Sequence, residues 1–507
     1  MPGCTALLQY SSAQPGSVAW QLAIEIGQPH AHGYAAMSHF DAIIIGAGQA
    51  GPGLANRLTH AGMTVALIER KLFGGTCVNT GCTPTKTLVA SAYAAHLARR
   101  AADYGVTTGE IKVDMARVKA RMDAVVANSR DGLEGWLRGM QRCTVIEGHA
   151  RFESATTVRV GTMQLTASRI FINVGGRALV PDMPGVDRVP YLNNSSILAL
   201  ERVPEHLAVV GGSYIGLEFA QIYRRFGAQV TLIEKAPQLI SREDPDVSEA
   251  IRDIFQREAI SVRTSAECIR LAPDPRGVKL GVDCLEGSPE IVATDVLLAV
   301  GRVPNTSDLG LDRAGVATDS RGFISVDDSL ATNVPGIWAM GDCNGRGAFT
   351  HTAWNDHEII AANLLDGEAR KLSQRIVGYA LYIDPPLGRV GQTEAQVRAS
   401  GRTYSVATRP MTRVSRAIEK GETLGFMKLI VDNDTRRILG AAILGTGGDE
   451  AIHGVIDMMN ADVDYSVLQW AVPIHPTVSE LIPTLLNELR VAQPQTGIPA
   501  VSPLAMK

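Results

Sequence analysis

Two stretches of the chain share one pattern of apolar and polar positions. Phe40-Asp41-Ala42-Ile43-Ile44-Ile45 carries a short continuous apolar run, and Gly46-Ala47-Gly48-Gln49-Ala50-Gly51 punctuates it. A helical period then runs to about Ala61, and a second apolar run, Val65-Ala66-Leu67-Ile68, ends in Glu69. The same order returns in Leu207-Ala208-Val209-Val210, Gly211-Gly212-Ser213-Tyr214-Ile215-Gly216, a helical period to about Phe226, and Val230-Thr231-Leu232-Ile233-Glu234. Short apolar runs bounded by glycine predict buried parallel strands, and the 3.6-residue period between them predicts crossover helices. Beyond about residue 375 the pattern changes. Phe426–Val431 and Ile438–Leu444 flank the turn signal Asp432-Asn433-Asp434, and a helix is expected from about Glu450 to Asn460. That segment reads as a separate α+β unit with an antiparallel sheet.

The glycine turns carry chemistry. In a strand–turn–helix unit of this kind the glycines let backbone approach a pyrophosphate, and the helix N-terminus offers partial positive charge. An acid about 20 residues on accepts from ribose hydroxyls. Here Glu69 follows Gly46 by 23 residues and Glu234 follows Gly211 by 23. Gly46, Gly48 and Gly51 with Glu69, and Gly211 and Gly216 with Glu234, are therefore two dinucleotide-binding candidates. Ser213 stands at the middle glycine of the second copy, where the approach is less open.

Composition narrows the classes of function. A chain of 507 residues holds about three domains. Its 48 basic and 52 acidic residues leave a net charge of −4, without the basic footprint of a nucleic-acid binder. No apolar run reaches the ~18 residues of a spanning helix, so no membrane partner is expected. Seven cysteines in so long a chain do not make a secreted disulfide scaffold, and a cytoplasmic location is expected. Residues 1–37 show no amphipathic period and no secretory pattern, and are assigned to a disordered extension. Residues 491–507 are assigned to a mobile tail.

Between the two turns lies Gly74-Gly75-Thr76-Cys77-Val78-Asn79-Thr80-Gly81-Cys82-Thr83-Pro84-Thr85-Lys86. Pro84 suggests a turn entering a helix, with Cys82 at the helix N-terminus, where the dipole favours thiolate. Lys86 falls one turn later on the same face. A zinc half-site would need a second Cys/His pair at ligand spacing, and none accompanies it, so no metal site is expected. A redox pair is the better reading than two inert buried thiols.

This segment resembles the redox motif of the FAD-dependent pyridine nucleotide–disulfide oxidoreductases, and the resemblance extends over about residues 38–490. It implies an α/β fold with two Rossmann-like dinucleotide-binding domains, for FAD and NAD, plus a C-terminal α+β dimerisation domain. The implied FAD domain covers 38–185 and 303–375, the NAD(P) domain 186–302, and the dimerisation domain 376–490. By match, electrons pass from nicotinamide to flavin and on to the disulfide. Cys82 is then the flavin-facing charge-transfer thiol and Cys77 the interchange thiol. Lys86 lies near the flavin, paired with Glu218, and Tyr214 covers the flavin until nicotinamide displaces it. Gly75 and Thr76 join the FAD site, as do Gly341 and Asp342 of Trp338-Ala339-Met340-Gly341-Asp342. Asp342 is implied to accept from the ribityl chain. Gly301 of Gly301-Arg302-Val303-Pro304-Asn305 is assigned to the NAD side. His475-Pro476-Thr477-Val478-Ser479-Glu480 resembles the family's acid–base dyad, His475 with Glu480, which is supplied from the other subunit of a homodimer. Glu234 favours NADH over NADPH, because it repels a 2′-phosphate.

The acceptor is less determined. Arg242-Glu243-Asp244-Pro245, Gly211-Gly212-Ser213 and Cys77-Val78-Asn79 are similar to mercuric reductase. Against this, no cysteine follows Cys343, no N-terminal CxxC module exists because Cys4 stands alone, and the His–Glu dyad is present. The expected activity is a mercuric reductase-like transfer to a small disulfide or a metal ion, with dihydrolipoyl dehydrogenase as the alternative. A flavin- and NADH-binding redox sensor is the reading from outside enzymes.

Overall fold

The computed structural model describes residues 37–283 and 289–492. The expected extension up to residue 36 and the tail from residue 493 lie outside the described residues. Met37, assigned above to the extension, belongs instead to strand Met37–His39, which pairs in parallel with Met163–Thr166. Val491, assigned to the tail, pairs in strand Arg490–Val491 against Tyr404–Pro410, and the Ala492 N–H donates to the Tyr404 carbonyl. Both side chains are exposed, so it is backbone pairing at a strand edge that orders them. Apolar patterning carries no trace of such pairing.

The two repeated patterns form two parallel sheets. The first places Ile337–Ala339, Ile170–Ile172, Ala42–Ile45, Val65–Glu69 and Cys143–Glu147 side by side. The second places Ser261–Arg263, Gln229–Ile233, His206–Val210 and Asp295–Leu298. Their apolar runs are continuous because both faces are covered. Ile43 and Ile45 enter one core while Ala42 and Ile44 enter the opposite one. Leu207 and Val209 part from Ala208 and Val210 in the same way. Between the sheets, Gly176–Ala178 pairs antiparallel with Arg302–Pro304, after which the chain returns to the first sheet at Ile337–Ala339.

The C-terminal unit is a six-stranded sheet, antiparallel throughout, in the order Gly378–Leu381, Leu387–Gly391, Ile438–Leu444, Phe426–Asp432, Tyr404–Pro410 and Arg490–Val491. The hairpin turn between its central strands is closed by Asp432, whose Oδ1 accepts from the backbone N–H groups of Asp434 and Thr435 at 2.9 Å each. The helix expected over 450–460 is divided into Gly448–Ala451 and His453–Asn460. Gly447 starts it from a left-handed φ of +67°. The architecture is α/β with two dinucleotide-fold sheets and a third, antiparallel domain. No helix among the described residues is long and apolar enough to cross a membrane.

Candidate functional site

A cavity of about 1270 Å³ opens between the first sheet, the cysteine segment and the edge of the C-terminal sheet. Gly46, Gly48, Glu69, Gly75, Thr76, Cys77, Cys82, Lys86, Tyr214, Glu218, Gly341 and Asp342 all line it. The first turn presents bare backbone there. Gly46 has φ +110°, and a Cβ on it would lie 2.2 Å from the Asn173 carbonyl oxygen. A Cβ on Gly75 would lie 3.0 Å from the Gly48 Cα, so two loops close on each other through glycine. Gly51 does not line the cavity; it packs the helix Ala50–His60 onto the turn, with a hypothetical Cβ 2.3 Å from the Gly46 oxygen.

Acids sit at either end of this wall. Glu69 accepts from the Ala47 N–H through Oε2 and from the Lys71 N–H through Oε1, each at 2.9 Å, which fixes the carboxylate against the turn. Asp342 is held at 3.3 Å from Arg302 Nη2, and burial pushes its carboxyl above the usual range against the pull of that guanidinium. Asn79 donates to the carbonyls of Phe73 and Gly75, while its buried Oδ1 finds no partner among the described residues. A long cleft with a bare backbone turn, an oriented acid and an orphaned acceptor fits FAD. Gly46, Gly48, Gly75, Thr76, Glu69, Gly341 and Asp342 are the residues that would hold it.

The cysteines sit on separate helices. Cys77 lies in the short helix Gly75–Thr80, where the sequence suggested only a turn, and Cys82 opens the helix Cys82–Arg99. Glycine, threonine and asparagine are poor helix formers, and the Asn79 side chain bridging Phe73 and Gly75 supplies local hydrogen bonds in compensation. Both thiols are free. Hydrogen bonding from Cys77 draws the Cys82 thiol down to about 6, helped by the Thr350 hydroxyl at 3.3 Å and the Lys86 ammonium, and opposed by burial. The same bond, with burial, pushes Cys77 well above the ordinary thiol range. Among the described residues no cluster of His, Cys, Asp and Glu has the arrangement of a metal site.

Lys86 and Glu218 meet as expected, at 2.7 and 2.9 Å. Tyr382 completes the group: its N–H donates to Glu218 at 3.1 Å and its ring centroid lies 4.7 Å from Lys86 Nζ. Tyr214 stands edge-on to Phe349 and Tyr379, at 5.4 and 5.9 Å between centroids, and Phe349 stacks on Tyr379 at 5.5 Å. Tyr379 donates to the buried Glu243. Thr350, Phe349, Tyr379, Tyr382 and Asn173 were not identified from the sequence. They come from distant segments and belong to no local motif.

The glycines of the second turn stand apart from this cavity, although Tyr214 and Ile215 of the same turn line it. Gly211 has φ +116° with a hypothetical Cβ 2.3 Å from the Ala299 oxygen, and a Cβ on Gly216 would lie 1.9 Å from the Gly211 oxygen. Glu234 Oε2 accepts from the Gly212 N–H at 2.5 Å, and the Ile240 N–H donates to the Gly212 carbonyl. Gly301, with φ +136°, accepts from the Leu179 N–H at the crossing between the sheets. The dyad also lies outside the cavity. His475 Nδ1 is 2.9 Å from Glu480 Oε2, and the His475 side chain is 74% exposed. Its neighbours Trp470, Val472 and Ile474 are 79%, 96% and 80% exposed, so among the described residues of one chain nothing covers them.

Known proteins are similar to this chain in sequence and in fold. Residues 40–356 match the pyridine nucleotide-disulphide oxidoreductase family and residues 377–486 its dimerisation domain. The probable pyridine nucleotide-disulfide oxidoreductase RclA of Escherichia coli is 36% identical over 459 residues, covering 89% of this chain and 99% of that protein. Mercuric reductase of Streptomyces lividans is 33% identical, covering 82% and 88%. The solved Cu(II) complex of the HOCl-induced flavoprotein disulfide reductase RclA from Escherichia coli superposes with a TM-score of 0.81 at 35% identity, over 89% of this chain and 99% of that one. The dimerisation domain supports a homodimer, and the family uses FAD and a pyridine nucleotide. By its sequence and its fold, this chain is a member of the pyridine nucleotide–disulphide oxidoreductase family of flavoenzymes.

Proposed function

We propose that the protein oxidises NAD(P)H and delivers the electrons, through flavin, to a Cys77–Cys82 disulfide and then to a small disulfide or a soft metal ion. The observation that carries this reading is the meeting of two free thiols in one cavity beside the Lys86–Glu218 pair. Their mutual hydrogen bond draws Cys82 down to about 6 and pushes Cys77 up. FAD, when bound, supplies the two-electron relay between nicotinamide and the disulfide. Reduction of that bond consumes two electrons and one proton, leaving Cys82 as thiolate and Cys77 as thiol.

The remaining steps belong to the chain's own groups. Cys77 must lose its proton to attack an acceptor sulfur, and His475 of the partner subunit takes it, oriented by Glu480 of the partner subunit. The first acceptor thiolate leaves and takes that proton back from the imidazole. Cys82 then attacks Cys77, the S–S bond closes, and the second acceptor sulfur leaves. A soft metal ion as substrate would engage the same two sulfurs. Cu(II), bound by the related RclA, and Hg(II), the substrate implied by the name of the other relative, are the ions to try. Glu234, fixed at the end of strand Gln229–Ile233, supports NADH over NADPH by repelling a second anion. The preformed His475–Glu480 pair favours dihydrolipoyl dehydrogenase as the second reading.

The test is anaerobic NADH oxidation by the FAD-loaded protein with Hg(II) under excess thiol, with Cu(II), and with oxidised lipoamide. Metal-dependent turnover that disappears in Cys82→Ser supports metal reduction. Turnover on lipoamide alone assigns the dihydrolipoyl dehydrogenase reaction. Flavin that NADH reduces but no acceptor reoxidises would sink the enzymatic reading in favour of a sensor.

A further inference from the structure

Behind the cofactor cavity lies a second, smaller one of about 280 Å³, between the helix Thr350–Leu365 and the segment leading into the C-terminal sheet. Arg370, Lys371 and Arg375 line it, with Asn355, Gln374 and His351, and no carboxylate lines it among the described residues. Arg370 is paired with Glu368 and Arg375 with Asp356, but both acids approach from outside the cavity wall. Arg375 is the central group. Its side chain is 9% exposed, its Nε donates to Asn355 Oδ1 at 2.8 Å, and Nη2 is engaged by Asp356. Its Nη1 is buried with no hydrogen-bond partner among the described residues. A buried guanidinium N–H left unpaired is costly. An anion accepting from Nη1 relieves that cost. The Gln374 Oε1 already accepts from the Lys371 N–H at 3.1 Å, so its amide nitrogen can serve only as a donor here.

We propose that this cleft is a binding site for a small oxyanion of the phosphate class, held by Arg375 Nη1, the Lys371 ammonium and the Gln374 amide. A guanidinium N–H beside an ammonium suits a multiply charged oxyanion better than a neutral ligand. The site backs directly onto the cofactor cavity. His351 and Ile376 line both cavities, and the His351 ring stacks on Phe349 at 5.3 Å, one residue from the Thr350 that touches Cys82.

The test is calorimetric titration of inorganic phosphate into FAD-loaded protein saturated with NAD⁺, at ionic strength held constant with sodium chloride. Saturation with NAD⁺ removes the dinucleotide turn as a competing phosphate site. One saturable phosphate per chain is expected, weakened at least about tenfold in Lys371→Glu, the equivalent of one charge-assisted contact. Lys371 lies on a surface segment, and Lys371→Gln serves if the charge reversal fails to give folded yellow protein. Binding that is equal in these variants, binding that NAD⁺ abolishes, or the absence of a saturable heat would each overturn the proposal.

Discussion

At Gly46 and at Gly211 the backbone makes the same turn. Each first glycine lies at positive φ against a carbonyl oxygen of a neighbouring strand's end, Asn173 in one case and Ala299 in the other. Each N–H donates to the end of the adjacent strand, at Ile68 and Ile233. In each, the acid 23 residues on accepts from the N–H of the residue after the first glycine. The surroundings then diverge. The first turn opens into a deep cavity. The second is closed over by the segment 238–243, where Leu239 lies against Gly212 and the Ile240 N–H holds the Gly212 carbonyl. On the proposed reading the first turn holds a group that stays and the second a ligand that arrives and leaves. The backbone geometry of a nucleotide turn does not set this difference; what packs around it does.

Substitutions on the two sides should separate accordingly. The largest effect is expected for Cys82→Ser, beside the first turn: acceptor turnover falls about a thousandfold, while flavin content and NADH binding stay normal. In the parent protein the long-wavelength band of the reduced enzyme should be full above pH 7 and fade as pH falls through about 6, because a lowered thiol pKa leaves thiolate only above that value. A band that persists in Cys82→Ser would show the thiols to be assigned the wrong way round. Gly46→Val places a β-branched residue at φ +110° against the Asn173 oxygen. Bound flavin per chain, read by absorbance, should drop by about a hundredfold in affinity. Gly211→Ala should leave the protein yellow and raise the KM for NADH about tenfold. Loss of flavin there would erase the distinction between the turns. The smallest effect is expected for Tyr379→Phe, which keeps the ring stack but frees it from Glu243. The KM for NADH should change about threefold with kcat unaltered, measured by steady-state kinetics.

Both sheets were legible because a parallel strand covered on two faces writes an unbroken apolar run, and glycine marks the turn that follows. Ile43-Ile44-Ile45 and Leu207-Ala208-Val209-Val210 could hardly be read otherwise. The cysteines, Lys86 and Glu218 were legible through the family motif. Spacing alone would not have joined two residues 132 positions apart. The aromatic group of Tyr214, Phe349 and Tyr379 had no signature, since three side chains from three segments meet only once the domains are packed. Asn173 escaped for a related reason. Its contribution to the first turn is a main-chain oxygen together with a side-chain N–H to the Gly46 carbonyl, and a lone asparagine after a strand predicts neither.

The loop carrying His475 has a genetic corollary. Its imidazole and the Cys77–Cys82 pair are parts of one machine held by different copies of the chain, if the proposed reading holds. A strain expressing Cys82→Ser alone, or His475→Ala alone, would then be deficient. Co-expressed, the two alleles would produce mixed dimers in which one of the two sites combines the intact cysteines of one copy with the intact histidine of the other. The pair of defective alleles would complement each other, whereas two alleles damaged in the same cavity would not.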